Sequence, residues 1–197
     1  MTGKNLKGKI FVFSAPSGAG KTTLLNYLRS NIPDLVYSIS ATTRQPRNGE
    51  IDGVHYFFIT EQEFKNKLEN DEFAEWAVVH GNYYGTPKSF IDKTIAQGLH
   101  IIMDIDVFGK KTFDKSYPDA VGILILPPSM ETLEKRLRGR GSEEERIVRI
   151  RLKNAVTEME FAQTEGKYEF TIINDDLERA KKETEELVRS LIIKNQN

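Results

Sequence analysis

The loop Ser14-Ala15-Pro16-Ser17-Gly18-Ala19-Gly20-Lys21-Thr22-Thr23 lies between an apolar run at residues 9–13 and a leucine stripe of Leu24, Leu25 and Leu28. A strand, a loop of small residues and then a helix is the arrangement a phosphate chain needs. Glycines let backbone N–H groups close around an anion, and a helix N-terminus adds partial positive charge. Lys21 can reach β- and γ-phosphates, and the Thr22 hydroxyl can ligate Mg²⁺. The pattern G-x-x-x-x-G-K-[ST] is met except at its first position, which holds Ala15. These residues point to a nucleoside triphosphate, with residues 15–23 as its cradle.

A second group is Ser38-Ile39-Ser40-Ala41-Thr42-Thr43-Arg44-Gln45-Pro46-Arg47-Asn48-Gly49-Glu50. It sets two arginines three residues apart beside several hydroxyls. Paired guanidiniums hold a phosphate with bidentate geometry, and Tyr56 and Tyr84 can add phenolic donors. A third group is basic: Lys135, Arg136, Arg138, Arg140, Arg146, Arg149 and Arg151 face only Glu143, Glu144 and Glu145. A solvated helix face explains most such runs. Next to a triphosphate loop, an anion-facing role for some of these arginines is the stronger expectation. His55, His80 and His100 have no ligand spacing and read as structural.

The elements that must position these groups can be read from periodicity and punctuation. The first strand and helix are followed by a break at Pro33 and a strand at 35–40. A turn-rich stretch, 41–54, leads to a short aromatic strand at 55–59. Thr60 and Glu63 form a capping box that opens a helix to about Asn70. A strand is expected at 73–80 and a turn or hairpin at 81–85. Thr86 as N-cap, with Pro87 at the first helical position, should start the next helix, which ends at Gly98. Residues 99–106 read as a buried strand that ends in Asp104 and Asp106. Further strands are expected at 121–126 and 170–173, with helices from Ser129 to about Arg138, over 145–164 and from Asp176 to about Lys194. The last carries Leu177, Ala180, Thr184, Leu187 and Leu191 on one stripe, which reads as packing. The order is βαβ, an antiparallel-looking insertion at about 41–85, then αβαβααβα. In an open parallel sheet, ligands collect at the carboxyl ends of the strands, where Ser14, Asp104, Asp106 and Asn174 fall.

With 197 residues, 39% hydrophobic and 29% charged, the chain suits one α/β domain with small inserted segments. It has no cysteine, hence no disulfide framework or thiolate metal site. Neither a secretion signal nor a membrane span is evident, and a cytoplasmic location is expected. A net charge of −1 disfavours nucleic acid as a partner. No protein partner is implied.

The string Ser38 to Tyr56 fills every fixed position of S-x-S-x-T-T-R-x-P-R-x-G-E-x-x-G-x-x-Y and so resembles the acceptor motif of the guanylate kinases. The resemblance continues through residues 72–77, 81–86, 104–106, 127–129, 136–141 and 174–177, covering about 8–188. It implies a P-loop NTPase-type parallel sheet flanked by helices, with an inserted mixed β/α GMP-binding subdomain and a helical lid. The single domain 1–197 would then divide into a core at about 6–40, 86–129 and 156–197, a GMP-binding segment at 41–85 and a lid at 130–155. Family loops carry Gly or Ala at the Ala15 position, so that departure costs little. The resemblance implies reversible transfer of the ATP γ-phosphoryl group to GMP, and to dGMP, giving ADP and the diphosphate, a step in GMP recycling and guanine nucleotide supply. Ser40, Arg44, Arg47, Tyr56 and Tyr84 would hold the GMP phosphate. Glu75, Thr86 and Asp106 would read guanine. Lys21, Arg44, Arg136, Arg140 and Arg151 would act on the transferring group, and Asn174 would contact adenine. Mg²⁺ would accompany ATP, held by Thr22 and through water by Asp104. Two rivals, an inactive interaction module and a kinase for another phosphate ester, are disfavoured by Lys21, Arg44, Arg47, Glu75 and Asp106 standing together.

Overall fold

The computed structural model describes residues 8–79, 81–139 and 145–193. Five parallel strands form the central sheet: β1 (Ile10–Ser14), β2 (Leu35–Tyr37), β7 (His100–Asp104), β8 (Val121–Leu126) and β9 (Phe170–Ile173), in the order β2-β7-β1-β8-β9. Their alternation divides the core. Phe11 and Phe13 of β1 pack with Ile102, Ile123 and Ile125 beneath α1 (Lys21–Asn31) and α7 (Leu177–Ile193). Ile10 and Val12 face the other way, with Ile101 and Met103, toward α3 (Lys88–Ala96) and α4 (Val107–Ser116). Both faces are covered, which is why these strands read as unbroken apolar runs.

The insertion builds a second sheet of β3 (Ala41–Thr42), β4 (Phe57–Phe58), β5 (Phe73–Val79) and β6 (Asn82–Pro87), in the order β4-β3-β6-β5. It is mixed rather than antiparallel, because β3 pairs in parallel with β4. Its small core stacks Phe64, from α2 (Glu61–Glu69), on Phe73 with ring centroids 4.3 Å apart. The expected capping box is present: the Thr60 hydroxyl accepts from the Glu63 N–H while Glu63 accepts from the Thr60 N–H. Ala74 of β5 joins the core beneath β7, which stitches the two sheets together.

Two more helices, α5 (Met130–Arg138) and α6 (Glu145–Thr164), share a cluster of Leu133, Leu137, Val148 and Ala155. Ser129 caps α5 as expected, its hydroxyl accepting from the Thr132 N–H. Some boundaries differ from the sequence reading: β2 ends at Tyr37 and not at residue 40, β4 is only Phe57–Phe58 within the expected 55–59, and β6 occupies most of the turn expected at 81–85. Helix α3 begins at Lys88, after β6 has run on to Pro87, so Thr86 is a strand residue and not a cap. Its hydroxyl donates instead to Glu75 Oε1, 2.7 Å away across the β5–β6 pair. Because β6 continues to Pro87, the hydroxyl is placed opposite a half-buried carboxylate and donates to it, a charge-assisted bond, instead of accepting from helix N–H groups. His80, Arg140 and Lys194, which the sequence reading includes in a strand, in the basic group and at the end of the last helix, lie outside the described residues.

Candidate active site

Strand β1 delivers the chain to the phosphate loop with Ser14 fully buried, its hydroxyl donating to the Ile105 carbonyl at 2.7 Å. That bond ties the ends of β1 and β7 together. Gly18 and Gly20 then adopt φ of 92° and 95°, a left-handed conformation that side chains disfavour. Space is equally restricted: a Cβ on Gly18 would come within 2.9 Å of Leu137, and one on Gly20 within 2.3 Å of the Asn174 amide nitrogen. Gly20 caps α1 without a side-chain hydrogen bond, so the first N–H groups of the helix remain available to an anion. Ala15, Pro16, Ser17, Gly18, Gly20, Lys21, Thr22 and Thr23 line a concavity of about 180 Å³. Ala19 is buried beneath it, and its carbonyl accepts from the Asn174 amide at 2.7 Å.

Lys21 forms an ion pair with Asp104, the last residue of β7. On the far side of Asp104 opens a cavity of about 330 Å³. Ser40, Tyr56, Glu75, Tyr84, Thr86, Asp104 and Asp106, seven of the residues singled out from sequence, line it together. The two cavities therefore meet at the Lys21–Asp104 pair. Ser40 Oγ lies 3.5 Å from Thr86 Oγ1, which links the hydroxyls at one end to Glu75 at the other. Asp106 caps α4, accepting from the N–H groups of Phe108 and Gly109 at 2.9 and 2.7 Å. A Cβ added at Gly109 would sit 3.3 Å from Glu75 Oε2 and 3.4 Å from Asp106 Oδ1. Both carboxylates thus hang over the first turn of α4, at a glycine that leaves the space open. Burial pushes the Glu75 carboxyl above its usual range and Asp106 adds to the rise, while the Thr86 hydroxyl pulls it back.

Arg44 is held before any ligand arrives. Its Nε donates to the Tyr84 hydroxyl at 3.2 Å and its terminal nitrogens to the Gln45 carbonyl at 2.7 Å and Glu50 at 2.8 Å. The guanidinium carbon stands 5.4 Å from the Tyr56 ring centre. Glu50 also accepts from the Arg47 N–H, and these two bonds, with Arg44 the stronger, bring its carboxyl down to about 2. A guanidinium has five N–H groups; three are used here, leaving two for a phosphate. Glu50 sits inside the sequence motif, yet its task as the counter-ion fixing Arg44 emerges only from the geometry. The same is true of Tyr37, Ser38 and His55, which complete the lining of the larger cavity.

The basic group is dispersed. Arg47 is exposed. Arg136 donates to the Asn174 carbonyl at 2.8 Å, so it reaches the phosphate loop only through Asn174, and its second terminal nitrogen is buried without a partner. Asn174 is 3% exposed, beneath the loop rather than beside an open base site, and its Oδ1 is likewise unpartnered. Arg151 is half-buried on α6, outside both linings. Arg140 lies outside the described residues.

A family model described as guanylate kinase matches residues 7–191. The chain belongs to the guanylate kinase family. It is 49% identical to the guanylate kinase of Carboxydothermus hydrogenoformans over 88% of this chain and 84% of that protein. It is 46% identical to that of Caldanaerobacter subterraneus over 95% and 87%. The crystal structure of guanylate kinase from Anaplasma phagocytophilum superposes with a TM-score of 0.68 at 32% identity, covering 95% of this chain and 87% of that one.

Proposed function

We propose that this protein transfers the γ-phosphoryl group of ATP to GMP, reversibly, giving ADP and GDP. The observation that carries this reading is the pairing of Glu75 with Asp106 over Gly109, at the far end of a hydroxyl-lined cavity that opens onto a phosphate loop. Guanine presents N1–H and N2–H₂ as donors to two carboxylates, and Thr86 completes the set. Adenine offers no such donors at those positions and would leave a buried carboxylate unmatched, a mismatch that costs on the order of 10⁴ in selectivity.

The acceptor is a phosphate oxygen that is already anionic, so no general base is needed. An oxygen of the GMP phosphate attacks the γ-phosphorus in line, the bond to the β-bridging oxygen breaks, and ADP leaves with that electron pair. The protein's task is alignment and charge neutralisation. Lys21 serves the donor side and exchanges Asp104 for a phosphate. Arg44, fixed by Glu50 and Tyr84, serves the acceptor, with Arg47, Ser40 and Tyr56 assisting. The buried, unpartnered nitrogen of Arg136, on a side chain bonded to Asn174 beneath the loop, supports a role at the donor nucleotide. Arg140 and Arg151 join it when residues 130–155 close as a lid over the core, and Asn174 faces the adenine side once the lid has moved.

Among the described residues no group of three or more carboxylates and imidazoles can hold a metal. This fits Mg²⁺ that arrives on ATP with most of its waters. The exposed Thr22 hydroxyl would hold it directly and Asp104 through water, and when bound it neutralises charge on the phosphates. No described helix is long and apolar enough to cross a membrane. That accords with a cytoplasmic enzyme of small-molecule substrates.

The test is ADP release with ATP and each of GMP, AMP, UMP and CMP. GMP should be the substrate, with AMP slower by about 10⁴-fold. Turnover that peaks on any other base overturns the proposal.

A further inference from the structure

Five buried side-chain polar atoms lack a hydrogen-bond partner among the described residues, and of these only Ser38 Oγ belongs to the lining of the acceptor cavity. Ser38 is 7% exposed. A buried hydroxyl without a partner is costly, and its partner must come from whatever fills the cavity. The fold fixes where it would be met. Ser38 continues β2 alongside β7, its N–H donating to the Ile102 carbonyl at 2.9 Å. Leu35 packs into the core on the α1 side. Side chains alternate along a strand, so Ser38 turns to the opposite face, where Met103 and Ile105 form the same wall of the cavity.

Several other polar groups of the cavity already have partners. Tyr84 holds Arg44, and Ser40 and Tyr56 stand with them at the phosphate end. Glu75, Thr86 and Asp106 make up the base end, and Asp104 is paired with Lys21. Between base and phosphate a nucleoside monophosphate carries only its sugar. A hydroxyl both donates and accepts, so it suits another hydroxyl, and a serine reorients by one χ1 hop between staggered wells.

We propose that Ser38 is a specificity-determining residue that hydrogen-bonds the ribose hydroxyl edge of the acceptor, so that a deoxy acceptor leaves it unpaired again. This rests on the reading of the cavity as the GMP site. The experiment measures kcat/KM for GMP, 2′-deoxy-GMP and 3′-deoxy-GMP at saturating ATP, in the unmodified protein, Ser38→Ala and Ser38→Cys. The unmodified protein should favour GMP over at least one deoxy analogue. That ratio should fall roughly three- to tenfold in Ser38→Ala, the worth of one neutral hydrogen bond. The analogue whose disadvantage disappears identifies the hydroxyl. Equal kcat/KM for all three acceptors in the unmodified protein overturns the proposal whether or not the variants fold. So does a variant that loses activity on all three in parallel, which marks a structural serine. Failure to phosphorylate any guanine nucleotide would instead overturn the underlying reading of the site.

Discussion

Glu75 carries a conflict that a single substitution can expose. Its carboxyl is held above the ordinary range chiefly by burial, so the native state binds its proton more tightly than the unfolded chain does. The stability it contributes is therefore greatest in acid and is lost as pH rises through the unfolded and then the native pKa. Glu75→Gln removes that loss. Its Tm should exceed the parent's at pH 7, and the gain should vanish below pH ~4, where both forms are neutral. The same change discards an anionic acceptor for guanine and should lower kcat/KM for GMP by roughly 10–100-fold, the worth of a charged hydrogen bond. In the parent, KM for GMP should climb as pH falls, starting at a higher pH than an ordinary carboxylate would give, and the glutamine variant should lack that inflection. A variant that is less stable at pH 7 and keeps its base preference would remove Glu75 from the site. The positions of Lys21 at the loop and of Asp106 just past β7 were legible in the sequence, the first from a spaced motif and the second from a buried strand ending in carboxylates. Glu50 as the keeper of Arg44 was not, because a counter-ion is a matter of distance rather than spacing.

At the scale of elements, helix α4 deserves a test of its own. Alanine at Gly109 should strengthen an isolated helix by about 0.8–1 kcal/mol. Here the added methyl would meet Ile105 Cγ2 at 2.9 Å and Glu75 Oε2 at 3.3 Å, both too close, beside Asp106 at 3.4 Å. Gly109→Ala is expected to raise KM for GMP about tenfold, equal to 1.4 kcal/mol of lost fit, while ATP affinity measured by calorimetry stays put. An unchanged KM would mean that the guanine lies elsewhere. Gly18→Ala should act on the other cavity, since its φ of 92° and the nearby Leu137 leave a side chain neither conformation nor room. Loss of ATP binding with the fold retained is the expected result, read by calorimetry and circular dichroism. Most elements could be read from periodicity, including α6 at both ends. The start of α3 could not, because Thr-Pro is as good a helix entry as it is a strand end, and only Glu75 on the neighbouring strand decides between them.

For the whole molecule, the two cavities must be brought together and dried, or ATP is hydrolysed instead of used. A compact 197-residue chain has a radius of gyration of about 16 Å. Small-angle scattering should show the free protein above that value, moving toward it when GMP and a non-hydrolysable ATP analogue are both present. ADP release without GMP should be a small fraction of the full rate; an equal rate would show that closure does not gate chemistry. The central sheet was legible because its strands are uniformly apolar. The pairing inside the second sheet was not, because β3 and β4 are two residues each and carry almost no periodic signal. One hydrogen bond at the end of the central sheet spans most of the chain: Asn174, just past β9, braces Ala19 across 155 residues. During translation the phosphate loop leaves the ribosome early, yet its floor arrives with nearly the last strand. At 5–20 residues per second that interval is roughly eight to thirty seconds. For that time the nascent chain owns a nucleotide-binding sequence without a nucleotide-binding site, and a stalled chain ending before residue 174 should leave cellular ATP untouched.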